Sequence, residues 1–182
     1  NARYGLHFMF SHRDGYSNNH FHDNGAGVAV MFTHQVEMTG NRFEHNCGAS
    51  AYGLLLKEIN DAIITDNLFA RHTTGILMDS VFEGNVFNGN TFDMTTKGDL
   101  ALSTLKGNYW DRHRGYDLDR DGRGDVPYRP LGLFAMVTER MPYAMVLSRS
   151  LMVLLLEQSE RAVPSLTPEG LRDVSPLMRE PL

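Results

Sequence analysis

The segment NHFHDN at residues 19–24 opens a repeat that runs through the first half of the chain. Its other copies are NRFEHN at 41–46, NLFARH at 67–72, NVFNGN at 85–90 and a shortened NTF at 90–92. A second block begins with glycine and continues with four or five mostly apolar residues. Its copies are GLHFMF at 5–10, GVAVMF at 27–32, GLLLK at 53–57 and GILMD at 75–79, so that successive glycines are 22, 26 and 22 residues apart. A period of this length is typical of one turn of a solenoid.

The repeat predicts stacked turns that share one interior. A single turn is too short to bury a core alone, so neighbouring turns stack and align like side chains. We expect an interior aromatic ladder made of Phe21, Phe43, Phe69 and Phe87. Asparagines are expected at corners, where they bond neighbouring turns and tolerate left-handed backbone, and glycines at corners with positive φ. The sequence therefore predicts an all-β fold, a right-handed parallel β-helix (solenoid) over residues 1–110, with a C-terminal helical tail.

One stretch breaks the period. Asn85 and Asn90 lie only five residues apart, and the stretch between Asp79 and Asn85 has no room for the second half of a full turn. Either the solenoid narrows into an irregular turn here, or a turn present in related chains is absent.

The period also places side chains on faces of the sheet, because alternate residues of a strand point in opposite directions. The inward columns are predicted to be Leu6/Val28/Leu54/Ile76 and Phe8/Val30/Leu56/Met78. The outward columns are His7/Ala29/Leu55/Leu77 and Met9/Met31/Lys57/Asp79, and three residues further on His12 falls above His34. Residues stacked in this way lie about 4.8 Å apart.

This outward face is a candidate copper site. Met9 and Met31 offer thioethers and His12 and His34 offer imidazoles, with His7 nearby. Soft ligands of this kind select copper(I), and a thioether remains a ligand at any pH. The alternative is that the methionines cover apolar surface while the histidines cap the corners of the turns.

Two further groups of polar residues are less specific. His22 and Asp23 precede Glu44 and His45 by one turn, which could form a mixed patch or simply solvated corners. The single cysteine, Cys47, excludes an internal disulfide and is interpreted as a small residue in a buried or edge position rather than a metal thiolate.

The segment DLDRDGRGD at 117–125, within an Asp/Gly-rich loop at 111–130, is the sharpest local motif. Its predicted ligands for a structural calcium ion are Asp117, Asp119, Asp121, the backbone of Arg123, and Asp125. The spacing around Gly122 matches the first half of an EF-hand loop, but Tyr128 stands where a bidentate glutamate is expected. The alternative is an Asp/Gly turn whose carboxylates bond local amides.

After residue 130 the pattern changes from strands to a helix. Residues 131–164 are predicted to form an amphipathic helix, ended by Pro164, whose apolar face contains Ala144, Leu147, Leu151, Leu154 and Leu155. It could cap the solenoid or dock a partner protein or a membrane leaflet. Residues 165–182 are predicted to form an extended tail that orders mainly on a partner. The most apolar stretch, 141–156, is too short and too interrupted for a membrane span.

Charge and composition narrow the classes of function. A formal charge of −5 and a pI near 5.9 argue against a nucleic-acid partner. A carbohydrate-active β-helix enzyme, such as a lyase or an epimerase, is the alternative function. It needs carboxylates and a base on one outward column, and the outward columns predicted above do not supply them. The sequence therefore favours a binding protein over an enzyme.

With these motifs in place, the chain resembles the NosD family, whose members belong to the nitrous oxide reductase gene cluster. The segments that carry the resemblance are RYGLHFMF at 3–10, GAGVAVM at 25–31, AYGLLLKE at 51–58, GNYWD at 107–111, RGYDLD at 114–119, DVPYRP at 125–130, LTPE at 166–169 and PLMR at 176–179. The resemblance is to the C-terminal portion of such a protein. Because the chain starts at Asn1 inside a repeat, we expect its N-terminus to be a cut.

The resemblance implies a periplasmic, non-enzymatic partner of an ABC transporter made of an ATPase and a permease. Together with a copper chaperone, such a protein assembles the copper-sulfur centre of nitrous oxide reductase. The resemblance fixes no copper ligands, so the methionine and histidine hypothesis rests on the register of the turns alone.

Overall fold

The computed structural model describes residues 3–48, 51–77, 81–95, 104–147, 150–163, 167 and 171–181. Its strands are β1 (Tyr4–Met9), β2 (His12–Ser17), β3 (His20–His22), β4 (Ala26–Thr39), β5 (Arg42–Glu44), β6 (Tyr52–Thr65), β7 (Leu68–Ala70), β8 (Thr74–Leu77), β9 (Val81–Glu83), β10 (Val86–Asn88), β11 (Phe92–Thr95), β12 (Thr104–Lys106) and β13 (Tyr109–Trp110). A helix α1 (Leu133–Arg140), a 3-10 helix (Pro142–Leu147) and a helix α2 (Leu151–Ala162) follow.

All the pairings between these strands are parallel, and they form two sheets. The first sheet has the order β1-β4-β6-β8-β11, with β2 on β4 and with β9 joining β6 to β12. The second has the order β3-β5-β7-β10-β13. Each strand pairs with its counterpart one turn later, which confirms the predicted parallel β-helix.

The aromatic ladder is confirmed and is longer than predicted. The rings of Phe21, Phe43, Phe69 and Phe87 stack in order, with centroids 5.4, 4.7 and 5.2 Å apart. Trp110 extends the stack, 4.2 Å beyond Phe87, and is almost completely buried. Offset stacking of this kind adds to the free energy gained by burying the rings.

The predicted register of the apolar columns is also confirmed. Leu6 pairs with Val28, Val28 with Leu54 and Leu54 with Ile76, while Phe8 pairs with Val30 and Val30 with Leu56; Met78 lies outside the described residues. Ala29 differs from the expectation for an outward residue because it is completely buried between its register neighbours His7 and Leu55.

The role predicted for the glycines is wrong. Gly5 and Gly53 do not have positive φ. They are needed because the turns approach closely: a Cβ at Gly5 would lie 2.6 Å from the carbonyl oxygen of Gly27, and one at Gly53 would lie 2.7 Å from that of Gly75. Such distances are closer than van der Waals contact allows, so a side chain at these positions would push the turns apart.

Asparagines form two hydrogen-bonded columns at the corners. In the first column the backbone N–H of each residue donates to the side-chain oxygen of the next, through Asn19, Asn41, Asn67, Asn85 and Asn108. These asparagines are not left-handed themselves. The left-handed residue is the one before each of them, as at Gly40, Asp66 and Gly84.

The described strands on either side of the irregular stretch fit a narrowed turn. The strand β8 pairs with the start of β6 and β9 with its end, so these two strands together match the two ends of the longer β6. Residues 78–80 between them lie outside the described part of the chain. The asparagine column continues across this stretch, because the Asn67 N–H donates to Asn85 Oδ1 at 3.0 Å. The described residues therefore fit the first of the two alternatives.

The C-terminal region differs from the single helix predicted for 131–164. The helix is broken into three pieces because Pro142 has no N–H with which to continue α1. Ser150 begins a new helix, and its hydroxyl accepts the Val153 N–H. The helix α1 packs on the solenoid through Phe134, whose ring lies 5.9 Å from that of Phe92. This packing agrees with a capping role.

The tail also orders on the chain itself rather than mainly on a partner. Residues 171–181 return to the end of the solenoid, where Asp173 bridges to Leu105 and Tyr128. Leu177 forms similar bridges to Tyr109 and Arg123. Asp173 is completely buried. In the described part of the chain, no helix has the length and apolar character needed to cross a bilayer.

Candidate functional site

The structure brings the predicted methionine ligands together. Met9 on β1 and Met31 on β4 are register partners, and Lys57 follows on β6. Met9 is 41% exposed and Met31 is half-buried. The two thioethers therefore form a short column at the surface, which we call the methionine ladder.

Two phenylalanines beside the methionine ladder were not singled out as surface residues. The rings of Phe10 and Phe32 stack 5.2 Å apart, and Phe10 is 69% exposed. Both residues have left-handed backbone, which turns their side chains outward at the bend. Their 22-residue spacing in the sequence was the available signal. The two phenylalanines beside the methionines fit the alternative in which the methionines cover apolar surface. They also provide apolar surroundings for soft ligands.

His12 and His34 are neighbours as predicted, with stacked rings 4.9 Å apart. The His34 backbone N–H donates to His12 Nδ1 at 3.2 Å. Because Nδ1 accepts a hydrogen bond, the neutral ring of His12 carries its proton on Nε2. A metal could bind Nε2 only after this proton moves and the hydrogen bond breaks. In this arrangement His12 serves as a corner residue. His7 is exposed and stacks on Tyr4 with centroids 5.0 Å apart.

A second group of polar residues lies on β3 and β5, in the other sheet. His20 Nε2 lies 2.8 Å from Glu44 Oε2, and His22 Nδ1 lies 2.7 Å from Asp23 Oδ2. The two imidazole rings are 4.6 Å apart. The sequence indicated His22, Asp23, Glu44 and His45 as a possible mixed patch and missed His20, although the HFH spacing places both ring-bearing side chains on one face of the strand.

The neighbouring charges and hydrogen bonds shift the pKa values of the two acidic groups in this patch. The hydrogen bond from His22 lowers the pKa of Asp23 although desolvation opposes it. Burial pushes the pKa of Glu44 upward, but hydrogen bonds and charge from Arg42 and His20 outweigh it, and the pKa falls below its usual value. His45 Nε2 accepts a hydrogen bond from Arg71 at 3.0 Å. Both carboxylates are thus held ionised beside the imidazoles.

Cys47 is exposed at the edge of the same sheet. Its thiol donates a hydrogen bond to the Arg71 carbonyl oxygen at 3.2 Å. This contact fits the interpretation of an edge residue.

The Asp/Gly-rich loop gathers three of its predicted ligands. Carboxylate oxygens of Asp117, Asp119 and Asp121 lie within 4.8 Å of one another. The same oxygens accept local N–H groups, for example those of Asp121 and Gly122 onto Asp117, and these bonds lower its pKa although desolvation opposes them. Asp125 accepts the Leu118 N–H, and the neighbouring Arg123 N–H donates to Asp121. The geometry suits both a calcium ion and a simple turn, so calcium stays a prediction that a calcium titration would decide.

A pocket of about 280 Å³ lies between β11, the segments 112–114 and 126–130, and the helix α1. Its buried carboxyl group is Asp93, which accepts a hydrogen bond from the Tyr128 hydroxyl at 3.1 Å. Burial raises the pKa of Asp93 to about 6. The second carboxylate of the pocket, Glu160, accepts the Leu133 N–H at the start of α1. Sequence patterns gave no signal for this pocket.

The predicted docking residues form an exposed apolar surface on the C-terminal helices. Val153 and Phe134 are buried and belong to the same hydrophobic core cluster. The apolar helix surface consists of Tyr143, Val146, Leu147, Leu151, Met152, Leu154 and Leu155, each more than half exposed. An apolar patch of this kind marks an interaction site more often than scattered single residues do.

Comparisons with known proteins point to one family. A family model described as "Periplasmic copper-binding protein (NosD)" matches residues 1–108. A protein of Pseudomonas aeruginosa named "Probable ABC transporter binding protein NosD" is 28% identical over 177 residues, which cover 87% of this chain and 41% of the relative. A protein of Stutzerimonas stutzeri with the same name is 25% identical over 198 residues, covering 84% of this chain and 45% of the relative. The chain thus spans less than half the length of these two relatives.

Proposed function

The chain belongs to the NosD family of periplasmic copper-binding proteins, and from this premise we propose that it binds or passes copper in the periplasm as a non-enzymatic part of an ABC-transporter-linked machinery. The product of that machinery is the copper centre of nitrous oxide reductase. Its other components are the ABC permease and ATPase, a copper chaperone and the reductase itself. The names of the two relatives describe binding proteins rather than enzymes, which supports a non-catalytic role.

The observation that carries the copper proposal is the position of the methionine ladder. Met9 and Met31 lie in the turns that the copper-binding family model matches, and their register makes them neighbours at the surface. Two adjacent thioethers select copper(I) over harder metal ions. Their partial exposure suits an ion that is taken up and released, since a transit site must exchange its cargo.

A double substitution of the methionine ladder tests this proposal. Met9→Leu with Met31→Leu keeps the side-chain volume but removes both sulfurs. We expect copper(I) affinity to fall at least tenfold in a competitive titration against a chromophoric chelator. The control is Met152→Leu, which removes the sulfur of a more exposed methionine on α2 and should leave the affinity unchanged. Affinities of the double variant and the parent within twofold would reject the methionine site.

The partner proposed for the apolar helix surface is the ABC permease. Leu147, Leu151, Leu154 and Leu155 remain exposed although α2 already packs on α1, which in turn packs on the solenoid. The relatives are named "Probable ABC transporter binding protein NosD", which supports a docking surface of this kind. Burial of these side chains in a complex would contribute roughly 25 cal/mol per Å² of apolar surface removed from water.

Charged substitutions on this surface should disrupt docking. Leu151→Glu with Leu155→Glu is expected to abolish co-purification with the permease, because burying two carboxylates in an apolar interface carries a large desolvation cost. Leu118→Glu changes a leucine of similar exposure, 77% against 72% for Leu151, outside the helices and serves as the control. Equal recovery of the permease with the double variant and with the control would contradict the proposed surface.

A further inference from the structure

The tripeptide His20-Phe21-His22 on β3 holds two imidazoles side by side. Because alternate residues of a strand face opposite ways, Phe21 enters the aromatic ladder while both histidines point outward. Their side chains are 50% and 54% exposed and their ring centroids lie 4.6 Å apart. The two rings are close enough to serve one ion and accessible enough to receive it.

A carboxylate holds one nitrogen of each ring. Glu44 accepts from His20 Nε2 and Asp23 accepts from His22 Nδ1. A carboxylate only accepts hydrogen bonds, so in the neutral rings these nitrogens carry the protons. The lone pairs then lie on His20 Nδ1 and His22 Nε2. A histidine that binds a metal characteristically donates its other N–H to a carboxylate, which orients the ring and makes it more basic.

We propose that His20 and His22 together chelate one divalent transition-metal ion, with Glu44 and Asp23 as positioning residues. Imidazole pairs suit copper(II) and zinc(II), whereas the thioethers of the methionine ladder suit copper(I). The pair lies on the second sheet and the ladder on the first. The two sites therefore differ in place and in metal preference, and this inference goes beyond the proposed function.

Two neighbours define the limits of the site. Arg42 also donates to Glu44 Oε2, so this oxygen is shared with a cation and orients His20 rather than binding the metal. His45 lies nearby, but its Nε2 accepts from the Arg71 guanidinium, which occupies a lone pair and places a positive charge beside the ring. His45 is therefore a matched control within the same patch.

Titration of the chain with copper(II) tests the pair. The single variants His20→Ala and His22→Ala should each lower the affinity at least tenfold, since loss of either ring removes the chelate. The double variant should lose less affinity than the sum of the two single losses, because both rings act on one ion. His45→Ala should stay within twofold of the parent. Equal losses with His45→Ala, or additive losses in the double variant, would overturn the proposal.

Three further readouts separate chelation from nonspecific binding. Electron paramagnetic resonance of the copper(II) complex should show coupling to two nitrogens in the parent and to one in each single variant; two-nitrogen coupling that persists in the double variant would overturn the site. Glu44→Gln and Asp23→Asn should reduce the affinity 10- to 100-fold. Retention of copper(II) affinity by the Met9→Leu/Met31→Leu variant would show that this site is independent of the methionine ladder, and its loss would contradict the proposal.

Discussion

Asp173→Asn is expected to lower the free energy of unfolding by about 3 kcal/mol or more, because this carboxylate closes the first asparagine column. Its Oδ2 accepts from the Asn108 N–H and side-chain amide, both at 2.9 Å, and from the Trp110 indole at 3.2 Å. Its Oδ1 accepts from the Gly107 and Ser175 N–H groups, both at 3.1 Å. An asparagine would present an NH₂ group where one of these oxygens accepts at least two donors.

Each buried donor left without an acceptor costs about 1–3 kcal/mol. The control is Asp61→Asn, at an exposed residue with φ of 58°, a conformation that asparagine tolerates. This change should stay within about 0.5 kcal/mol of the parent. Denaturant unfolding followed by circular dichroism measures both values. If Asp173→Asn behaved like the control, the tail would not be bonded to the end of the column in solution.

The second large effect concerns His72, which replaces an asparagine in the second corner column. The column runs through Asn24, Asn46, His72 and Asn90. Nδ1 of His72 accepts the Asn46 N–H and Nε2 donates to the Phe43 carbonyl oxygen, as the oxygen and amide of Asn90 do one turn later. Both ring nitrogens are therefore used, and the buried ring must stay neutral.

Burial lowers the pKa of His72 to about 4 from an ordinary value of 6.5. The unfolded chain therefore binds a proton between these pH values while the folded chain does not. The stability from this residue is fully present above about pH 6.5 and falls as the pH drops toward 4. From pH 7.5 to pH 5 the parent should lose about 2 kcal/mol through this residue alone.

The variant His72→Asn should remove this loss while keeping the column. Its oxygen can accept the Asn46 N–H and its amide can donate to Phe43, so its stability at pH 7.5 should lie within about 1 kcal/mol of the parent. His72→Ala, which leaves both backbone groups unpaired, should lose about 2–4 kcal/mol at pH 7.5. If the free energies of unfolding of the parent and of His72→Asn fell by the same amount between pH 7.5 and pH 5, this account of the ring would be contradicted.

The structure of the turns could be predicted because the residues that determine it are close in sequence and recur with a regular spacing. The 22- and 26-residue spacing fixes which residues meet, and the alternation of a strand fixes their side. Met9 therefore meets Met31, His12 meets His34, and Phe21 meets Phe43, as the register shows. The hydrogen bond on His12 Nδ1 could not be predicted, since it depends on the ring rotamer.

The structure at the ends of the solenoid could not be predicted, because it depends on contacts that the sequence repeat does not contain. Asp173 bonds Asn108 across 65 residues, and it ends the column only because the tail returns there. Asp93 stands at the register position that glycine occupies in earlier turns. Its side chain is buried because the loop that contains Tyr128 and the helix α1 cover it.

The sequence by itself determined the repeating fold, the register of its columns and the family, because each turn obeys the same local rule as the turn before it. The tertiary structure alone decided how the last turn is closed, which ring nitrogens remain open, and where a carboxyl group is buried. These features depend on single contacts between distant segments, and only the folded chain brings such segments together.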